Sequence, residues 1–133
     1  MASLRSELAL DAPAETVWNA IRDFGAVDKR VAPGFVVACK LEGDARVVTF
    51  ANGNEAREEL VDLDDAGRRL VYAVKSERVQ HYNAELRVLS DGEQRSRLIW
   101  TIDLLPNDIA PYIRQQMDAA TRVMKPALEG VQT

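Results

Sequence analysis

The sequence predicts an α+β fold in which one antiparallel sheet is followed by a single long helix. Residues 3–10 alternate between apolar and polar side chains, which is typical of a half-buried strand. Between residues 35 and 105, six further strand-like segments follow one another with only short turns between them. Because short turns join neighbouring antiparallel strands, this order indicates a meander. After Pro106, apolar residues recur every three or four positions, which indicates an amphipathic helix of about five turns.

The segment between the first two strands predicts two short helices. Asp11 or Ala12 can cap the first helix, and Pro13 then lies in its first turn, where the missing N–H does no harm. Apolar residues at helical spacing continue this helix to about residue 22 or 23, and Gly25 ends it. Residues 26–31 predict the second short helix.

Strands separated by turns rich in glycine, asparagine and aspartate fill the middle of the chain. The six predicted strands cover residues 35–41, 46–51, 56–63, 69–75, 81–89 and 95–105. The apolar face of the long C-terminal helix consists of Ile109, Ile113, Met117, Ala120, Met124 and Leu128. These residues form one continuous stripe, which we expect to pack against the sheet.

The composition excludes several classes of protein. The 133 residues include 17 basic and 21 acidic side chains, and the net charge of −4 is not accompanied by a stripe of lysine and arginine. We therefore expect no nucleic-acid partner and no polybasic membrane anchor. No apolar run approaches the ~20 residues of a membrane-spanning helix, and the N-terminus lacks the apolar region of a signal peptide. We expect a single domain over residues 1–133 that is cytoplasmic and either monomeric or homodimeric.

Cysteine and histidine are both scarce, since Cys39 and His81 are the single examples of each. This excludes an intrachain disulfide, a cysteine-based zinc site and a metal centre with two imidazoles, so we expect neither a metal nor a cofactor. Cys39 shares the strand face of Phe35 and Val37 and is interpreted as a small buried residue rather than a nucleophile. His81 lies on the polar face of its strand, and we expect it to be solvated.

Six short motifs occur in a characteristic order along the chain. They are Ala12–Trp18 (APAETVW), Asp23–Gly25 (DFG), Val48–Gly53 (VTFANG), Glu58 with Leu60, Arg69–Tyr72 (RLVY) and Trp100–Asp103 (WTID). Each motif is weak alone, but the ordered set resembles the START-like (SRPBCC) superfamily, and within it the helix-grip proteins of polyketide cyclase/dehydrase type. The resemblance covers essentially the whole chain.

This resemblance implies a helix-grip fold, in which a seven-stranded curved antiparallel sheet wraps around the long C-terminal helix and two short helices follow strand 1. It also implies a deep apolar cavity between the sheet and the helix. Proteins of this superfamily bind lipids, hormones, polyketides and other hydrophobic molecules, and some of them are enzymes. A small hydrophobic ligand is therefore the expected partner.

Strand parity predicts which side chains face such a cavity. In the predicted strand that contains Tyr82, only the face that carries this residue is apolar enough to be buried, and Tyr72 and Trp100 belong to the apolar sets of their own strands. Their hydroxyl and indole groups need hydrogen-bond partners when they are buried. The residues that we predict to contact a ligand are Phe35, Arg46, Phe50, Glu58, Tyr72, Tyr82, Trp100, Ile113 and Met117.

Arg46 and Glu58 share the parity of apolar neighbours on adjacent strands, and two interpretations of them remain open. They form either a structural or rim ion pair, or an inward pair that orients a polar group of the ligand. The register decides whether they meet. A hairpin loop of two or four residues at Asn52–Gly53 places them on opposite faces, whereas a loop of three or five residues with a bulge at Gly53 aligns them.

Three functions are compatible with this pattern. The first is binding of a small hydrophobic or amphipathic ligand, lipid- or polyketide-like, in the cavity. The second is a cyclase/dehydratase-type enzyme acting on such a ligand, for which Glu58, Tyr72 and Tyr82 are the candidate proton-transfer residues. The third is a protein-interaction module with a filled cavity and an exposed apolar patch.

Overall fold

The computed structural model describes residues 1–130 and has the α+β architecture that the sequence predicts. The strands are β1 Ala2–Leu10, β2 Val36–Glu42, β3 Ala45–Phe50, β4 Glu55–Asp64, β5 Arg69–Lys75, β6 His81–Ser90 and β7 Ser96–Leu105. The α-helices are α1 Ala14–Ile21 and α2 Ala110–Leu128, and short helical turns cover Phe24–Ala26, Val27–Val31 and Asn107–Ile109. The predicted strand ends differ from these bounds by one residue at most.

The seven strands form one antiparallel sheet in the order β1-β7-β6-β5-β4-β3-β2. Strands β2 to β7 are joined by short turns, and each pairs with its neighbour in sequence, as the predicted meander requires. Strand β1 pairs with β7 over its whole length, from Ala2 opposite Leu104 to Leu10 opposite Ser96. The two edges of the sheet are therefore β1 and β2.

Helix α2 packs against the apolar face of the sheet through the predicted stripe. Met117, Ala120, Met124 and Leu128 are buried in one cluster with apolar residues of β5, β6 and β7, and Ile113 packs against that cluster. The polar side of the helix faces away from the sheet. Within residues 1–130, no helix is both long enough and apolar enough to cross a membrane.

The start of α1 differs from the sequence prediction. Pro13 itself occupies the N-cap position with an extended backbone, and no side chain caps the helix. Asp11 and Ala12 are instead used by neighbouring elements: the amide of Asp11 donates to the Glu129 carboxylate at 2.8 Å, and the carbonyl of Ala12 accepts a hydrogen bond from the Ser96 hydroxyl at 2.8 Å. Tertiary contacts therefore decide the conformation here rather than a local cap.

The predicted second short helix is two different turns. Phe24–Ala26 forms a 3-10 turn, and Val27–Val31 forms a π-helical turn that ends with the Ala32 amide donating to the Val27 carbonyl at 2.9 Å. Val27 and Val31 are buried in the core cluster. We call residues 24–32 the short-helix segment. It lies between α1 and β2 and places two buried valines toward the same interior that α2 faces.

The face of β2 also differs from the prediction, because a bulge interrupts the strand between Val36 and Ala38. The extra residue shifts the parity, so that Val36 is buried and Val37 is 54% exposed. Cys39 is half-buried on the inner side of the bulge, and burial raises the pKa of its thiol. Cys39 and Phe35 therefore face inward as expected, whereas the placement of Val37 on their face was wrong.

Polar contacts fix α2 along the β1 edge, among them a hydrogen bond from the Arg114 guanidinium to the Arg5 carbonyl at 2.9 Å. The Arg114 guanidinium also donates to the Ser6 hydroxyl at 3.0 Å, and the Lys125 ammonium donates to the Ala9 carbonyl at 2.8 Å. At the end of the helix, the Glu129 carboxylate accepts from the Asp11 amide and from Lys125, and these two donors lower its pKa. The helix is thus held to the first strand at both of its ends.

Two carboxylates link α1 to the turn between β4 and β5: Glu15 of the helix accepts a hydrogen bond from Arg68 at 2.8 Å, and Asp65 of the turn binds two side chains at the other end of the helix. Asp65 accepts a hydrogen bond from the Trp18 indole N–H at 2.9 Å and from the Arg22 guanidinium at 2.7 Å. These contacts, first that with Arg22 and then that with Trp18, lower the pKa of Asp65. Because the Trp18 ring is buried in the core, the Asp65 carboxylate fixes both the depth and the orientation of the helix.

The substitution Asp65→Asn is expected to lower the unfolding temperature at neutral pH, because a neutral amide pairs less strongly with the Arg22 guanidinium. The pKa of Asp65 lies below its ordinary value of 3.8 in the folded protein. The carboxylate therefore stabilises the fold above that pH, and this stabilisation is lost as the pH falls through the lowered value. The difference between variant and wild type should shrink accordingly in thermal unfolding followed by circular dichroism at neutral and acidic pH.

Glu93→Gln is the control, because Glu93 is an exposed carboxylate that forms no ion pair within the described part of the chain. We expect it to leave the unfolding temperature unchanged. An effect of Glu93→Gln as large as that of Asp65→Asn at neutral pH would contradict the role of Asp65.

Candidate ligand cavity

A cavity of about 460 Å³ lies between the sheet and α2, and the short-helix segment forms part of its wall. Most of the lining side chains are aliphatic or aromatic, and they come from β2 to β7 as well as from α2. The polar residues Asn52, Asn54, Glu55, Ser76, Arg78 and Gln116 lie at the rim. The interior is therefore apolar, and the polar groups inside it are few enough to be considered one by one.

All nine residues that the sequence predicts to contact a ligand line this cavity. Phe35 and Phe50 pack edge to face, with their ring centroids 5.5 Å apart, near the start of β2 and the end of β3. Ile113 and Met117 project from α2. The structure therefore brings the predicted set together, because alternate residues of each strand face the same side of the sheet.

Arg46 and Glu58 lie directly opposite each other on β3 and β4. Phe50 and Asn54 are the last residues paired before the loop, since the Phe50 amide donates to the Asn54 carbonyl at 2.8 Å. The loop that they close therefore contains three residues, 51–53. Gly53 has a positive φ of 89° and donates to the Phe50 carbonyl at 2.9 Å, as a three-residue loop with a glycine bulge requires. Of the two register alternatives, the odd-length loop is thus the one that occurs, and it aligns the two charges.

The two side chains form a buried ion pair with a 2.8 Å contact between Arg46 Nε and Glu58 Oε1. Only 4% of Arg46 and 7% of Glu58 are exposed. Arg46 Nη1 also donates to the Phe24 carbonyl at 3.1 Å, and the guanidinium lies 4.1 Å from the centre of the Phe24 ring and 5.1 Å from that of Tyr72. The pair therefore joins the sheet to the short-helix segment, and it also forms part of the cavity wall.

Tyr72, Tyr82 and Trp100 supply the remaining polar atoms of the interior. Burial is the main cause that raises the pKa of Tyr72 and of Tyr82 well above the ordinary value for tyrosine, and the negative charge of Glu58 adds to it. Both hydroxyls consequently remain protonated at physiological pH. The Trp100 indole nitrogen is buried without a hydrogen-bond partner among residues 1–130.

Some cavity residues escaped the sequence analysis. Val27, Val31 and Ala32 line the wall from the short-helix segment, and Tyr112 and Gln116 line it from α2. Gln116 follows Ile113 by three residues and precedes Ala120 by four, and this helical spacing was a usable signal, but the polarity of Gln116 concealed it. Val27 and Val31 are four residues apart in the predicted second short helix, a spacing that could have indicated one buried face, whereas the loop residues carry no periodic pattern that could have placed them. His81 is exposed, as expected from its position on the polar face of β6.

A seven-stranded antiparallel sheet with a long C-terminal helix and short helices after the first strand is the fold of START-like proteins. The family model described as polyketide cyclase/dehydrase and lipid transport matches residues 1–132, and the chain belongs to that family. A comparison with curated proteins gives no match.

Solved structures with the same fold include proteins of several kinds. A putative uncharacterized protein from Bacillus thuringiensis has a TM-score of 0.84 and 17% identity, over 96% of this chain and 98% of its own. A START superfamily protein from Mycobacterium smegmatis has a TM-score of 0.75 and 13% identity, over 96% and 94%. Norcoclaurine synthase from Thalictrum flavum, in complex with dopamine and hydroxybenzaldehyde, has a TM-score of 0.72 and 16% identity, over 99% and 88%. At these identities the likeness establishes the fold.

The substitution Glu58→Leu is expected to lower the free energy of unfolding by about 3–5 kcal/mol, because it leaves the Arg46 cation buried without its partner. Adding Arg46→Met to it should restore most of the loss, since a matched apolar pair needs no compensation in this environment. Urea denaturation of the two single variants and the double variant measures both effects.

The exposed pair of Arg57 and Glu42 is the control, because it also joins two strands of the sheet, β4 and β2 on either side of β3, and has a 2.6 Å contact. Glu42→Gln should change the free energy of unfolding by less than about 1 kcal/mol. If Glu58→Leu is no more destabilising than Glu42→Gln, the buried pair does not have the structural role described here.

Proposed function

We propose that the protein binds one small hydrophobic or amphipathic molecule, lipid- or polyketide-like, in the cavity between the sheet and α2. The observation that carries this proposal is the cavity itself, whose volume of about 460 Å³ lies in the range of roughly 300–1,000 Å³ typical of ligand pockets. The family description, which includes lipid transport, supports the same class of ligand. So does the fold shared with norcoclaurine synthase, whose structure contains two small aromatic molecules.

The apolar lining supplies the affinity in this proposal. A ligand that removes about 300 Å² of apolar surface from water gains roughly 7 kcal/mol at 25 cal/mol per Å², before the entropy cost of association is subtracted. The flexible thioethers of Met117 and Met124 lie in the wall and adapt to ligands of different outline. Shape and apolar contact therefore account for binding without a charged anchor inside the cavity.

The electrostatics weigh against proton transfer as the main activity. Tyr72 and Tyr82 both have a raised pKa, so neither hydroxyl is matched to donating or removing a proton near neutral pH. One oxygen of Glu58 is engaged by Arg46. The open cavity likewise weighs against a protein-interaction module with a filled interior, although Val37 and Leu41 are exposed on the β2 edge.

Protein purified under native conditions is expected to retain a small molecule in its cavity. Native mass spectrometry should detect the added mass, and denaturation should release it. Val74→Phe replaces a small aliphatic side chain in the β5 wall of the cavity with an aromatic ring. It should lower ligand occupancy or weaken binding by roughly tenfold or more, because an overpacked site costs about 1–3 kcal/mol.

Val61→Phe is the matched control, since Val61 is 58% exposed on the neighbouring strand β4 and does not line the cavity. It should retain the ligand as wild type does. A ligand that is equally retained by both variants does not occupy the cavity, and repeated purification without any retained or added hydrophobic molecule bound would overturn the proposal.

A further inference from the structure

The polar rim of the cavity lies at one end of the sheet. The loops 51–54 and 76–80 leave the sheet at the same end as the connection from β7 to α2, because alternate turns of a meander lie at the same end. The Gln80 amide donates to the Leu105 carbonyl at 2.9 Å and ties the second loop to β7. The polar rim residues come from these two loops, the start of β4 and the first two turns of α2. Polar groups therefore surround one opening of an apolar interior, which we call the mouth.

The deep part of the interior offers no partner for a charged group. Arg46 lies four residues, about 13 Å, along β3 from Phe50 at the mouth. Its guanidinium is paired with Glu58, so neither charge of the pair is free to bind an ion. A charged group of the ligand would have to lose its hydration there without compensation. Such a group therefore belongs at the mouth, where it stays in contact with water.

Arg78 supplies a cation at this mouth. It lines the cavity, and its guanidinium forms no ion pair and no hydrogen bond within residues 1–130. The backbone beside it is held in place, because the Arg78 amide donates to the Ser76 hydroxyl at 3.1 Å and the Val79 amide donates to the Ser76 carbonyl at 3.4 Å. Lys75 and Glu77 flank Arg78 without lining the cavity. A guanidinium at the edge of an apolar cavity offers two parallel donors, which match the geometry of a carboxylate.

The second charge at the rim limits the ligand to one negative charge. Glu55 also lines the cavity, and its carboxylate accepts a hydrogen bond from the Thr49 hydroxyl at 3.4 Å. It forms no ion pair with Arg78 in the described part of the chain. One guanidinium compensates one negative charge, and a second negative charge on the ligand would be repelled by the Glu55 carboxylate. A carboxylate therefore fits this rim better than a dianionic phosphate.

We propose, on the basis of the ligand-binding function proposed above, that the ligand is an amphipathic carboxylate. Its carboxylate pairs with the Arg78 guanidinium at the mouth, and its apolar part extends inward along β3 toward the pair of Arg46 and Glu58. The apolar wall supplies most of the affinity. Arg78 sets the orientation of the ligand and favours acids over neutral molecules of the same shape.

Decanoate and decanol test this preference, because they share the same chain and differ in the charge of the head. Their affinities are measured by displacement of aminoanthracene, an uncharged fluorescent probe of apolar cavities, at neutral pH and an ionic strength of about 0.01 M. Arg78→Gln should weaken decanoate binding about threefold to fivefold, which is what an exposed ion pair contributes at low salt. It should leave decanol binding unchanged to within about twofold.

Arg87→Gln is the matched control, since Arg87 is exposed on β6, does not line the cavity and forms no ion pair among the described residues. This variant loses the same charge from the protein as a whole. Equal weakening of decanoate binding by both variants would therefore overturn the role of Arg78. Glu55→Gln changes the charge of the rim in the opposite direction and should not weaken decanoate binding. A loss as large as that in Arg78→Gln would contradict the proposed position of the carboxylate.

The wild-type protein supplies a second measurement. Raising the ionic strength from about 0.01 M to about 1 M shortens the screening length from roughly 30 Å to roughly 3 Å. The affinity for decanoate relative to decanol should then fall toward the value that Arg78→Gln has at low salt. A relative affinity that neither salt nor Arg78→Gln changes would overturn the carboxylate proposal, and binding of decanol and aminoanthracene would leave the ligand cavity in place. Failure of decanoate, decanol and aminoanthracene to bind would overturn both proposals.

Discussion

Two opposite charges buried in the wall of an apolar cavity are the constraint on which the rest of the site depends. Arg46 and Glu58 are tolerated there as a pair, because either charge alone would cost on the order of several kcal/mol. The pair requires β3 and β4 to keep the register that the three-residue loop sets. It also requires the Phe24 carbonyl and ring to stay beside the guanidinium. One interaction thus fixes the sheet register and the short-helix wall of the cavity together.

The opposite wall is fixed by different means. Helix α2 is attached to β1 through Arg114 and Lys125, whose partners are a hydroxyl and a backbone carbonyl of that strand. Helix α1 is attached to the β4–β5 turn through Asp65. These contacts lie outside the cavity, so the elements around it are positioned without polar groups having to be placed inside it. Apart from the buried pair of Arg46 and Glu58, the interior is left to apolar side chains, two tyrosines and one tryptophan.

Much of this arrangement could be predicted from the sequence, because strand alternation has a period of two and is visible without knowledge of the fold. That period placed Tyr72, Tyr82 and Trp100 on one face. It also meant that the alignment of Arg46 with Glu58 depended only on whether the loop between their strands has an odd or an even number of residues. The errors occurred where a single residue changes the outcome. The bulge before Ala38 turned Val37 to the exposed side of the strand, and no periodic pattern in the sequence predicts a bulge. The cap of α1 was set by distant partners of Asp11 and Ala12, and the loop residues of the rim follow no period at all.

The chemistry of the cavity follows from what surrounds each polar group more than from which groups are present. The Tyr72 hydroxyl stays protonated at physiological pH, because burial, with the charge of Glu58 as a second cause, raises its pKa. Arg46 would attract an anion if it were free, but its pairing with Glu58 removes that attraction. The pair of Arg46 and Glu58 therefore holds the cavity wall together without presenting an unpaired charge to the cavity.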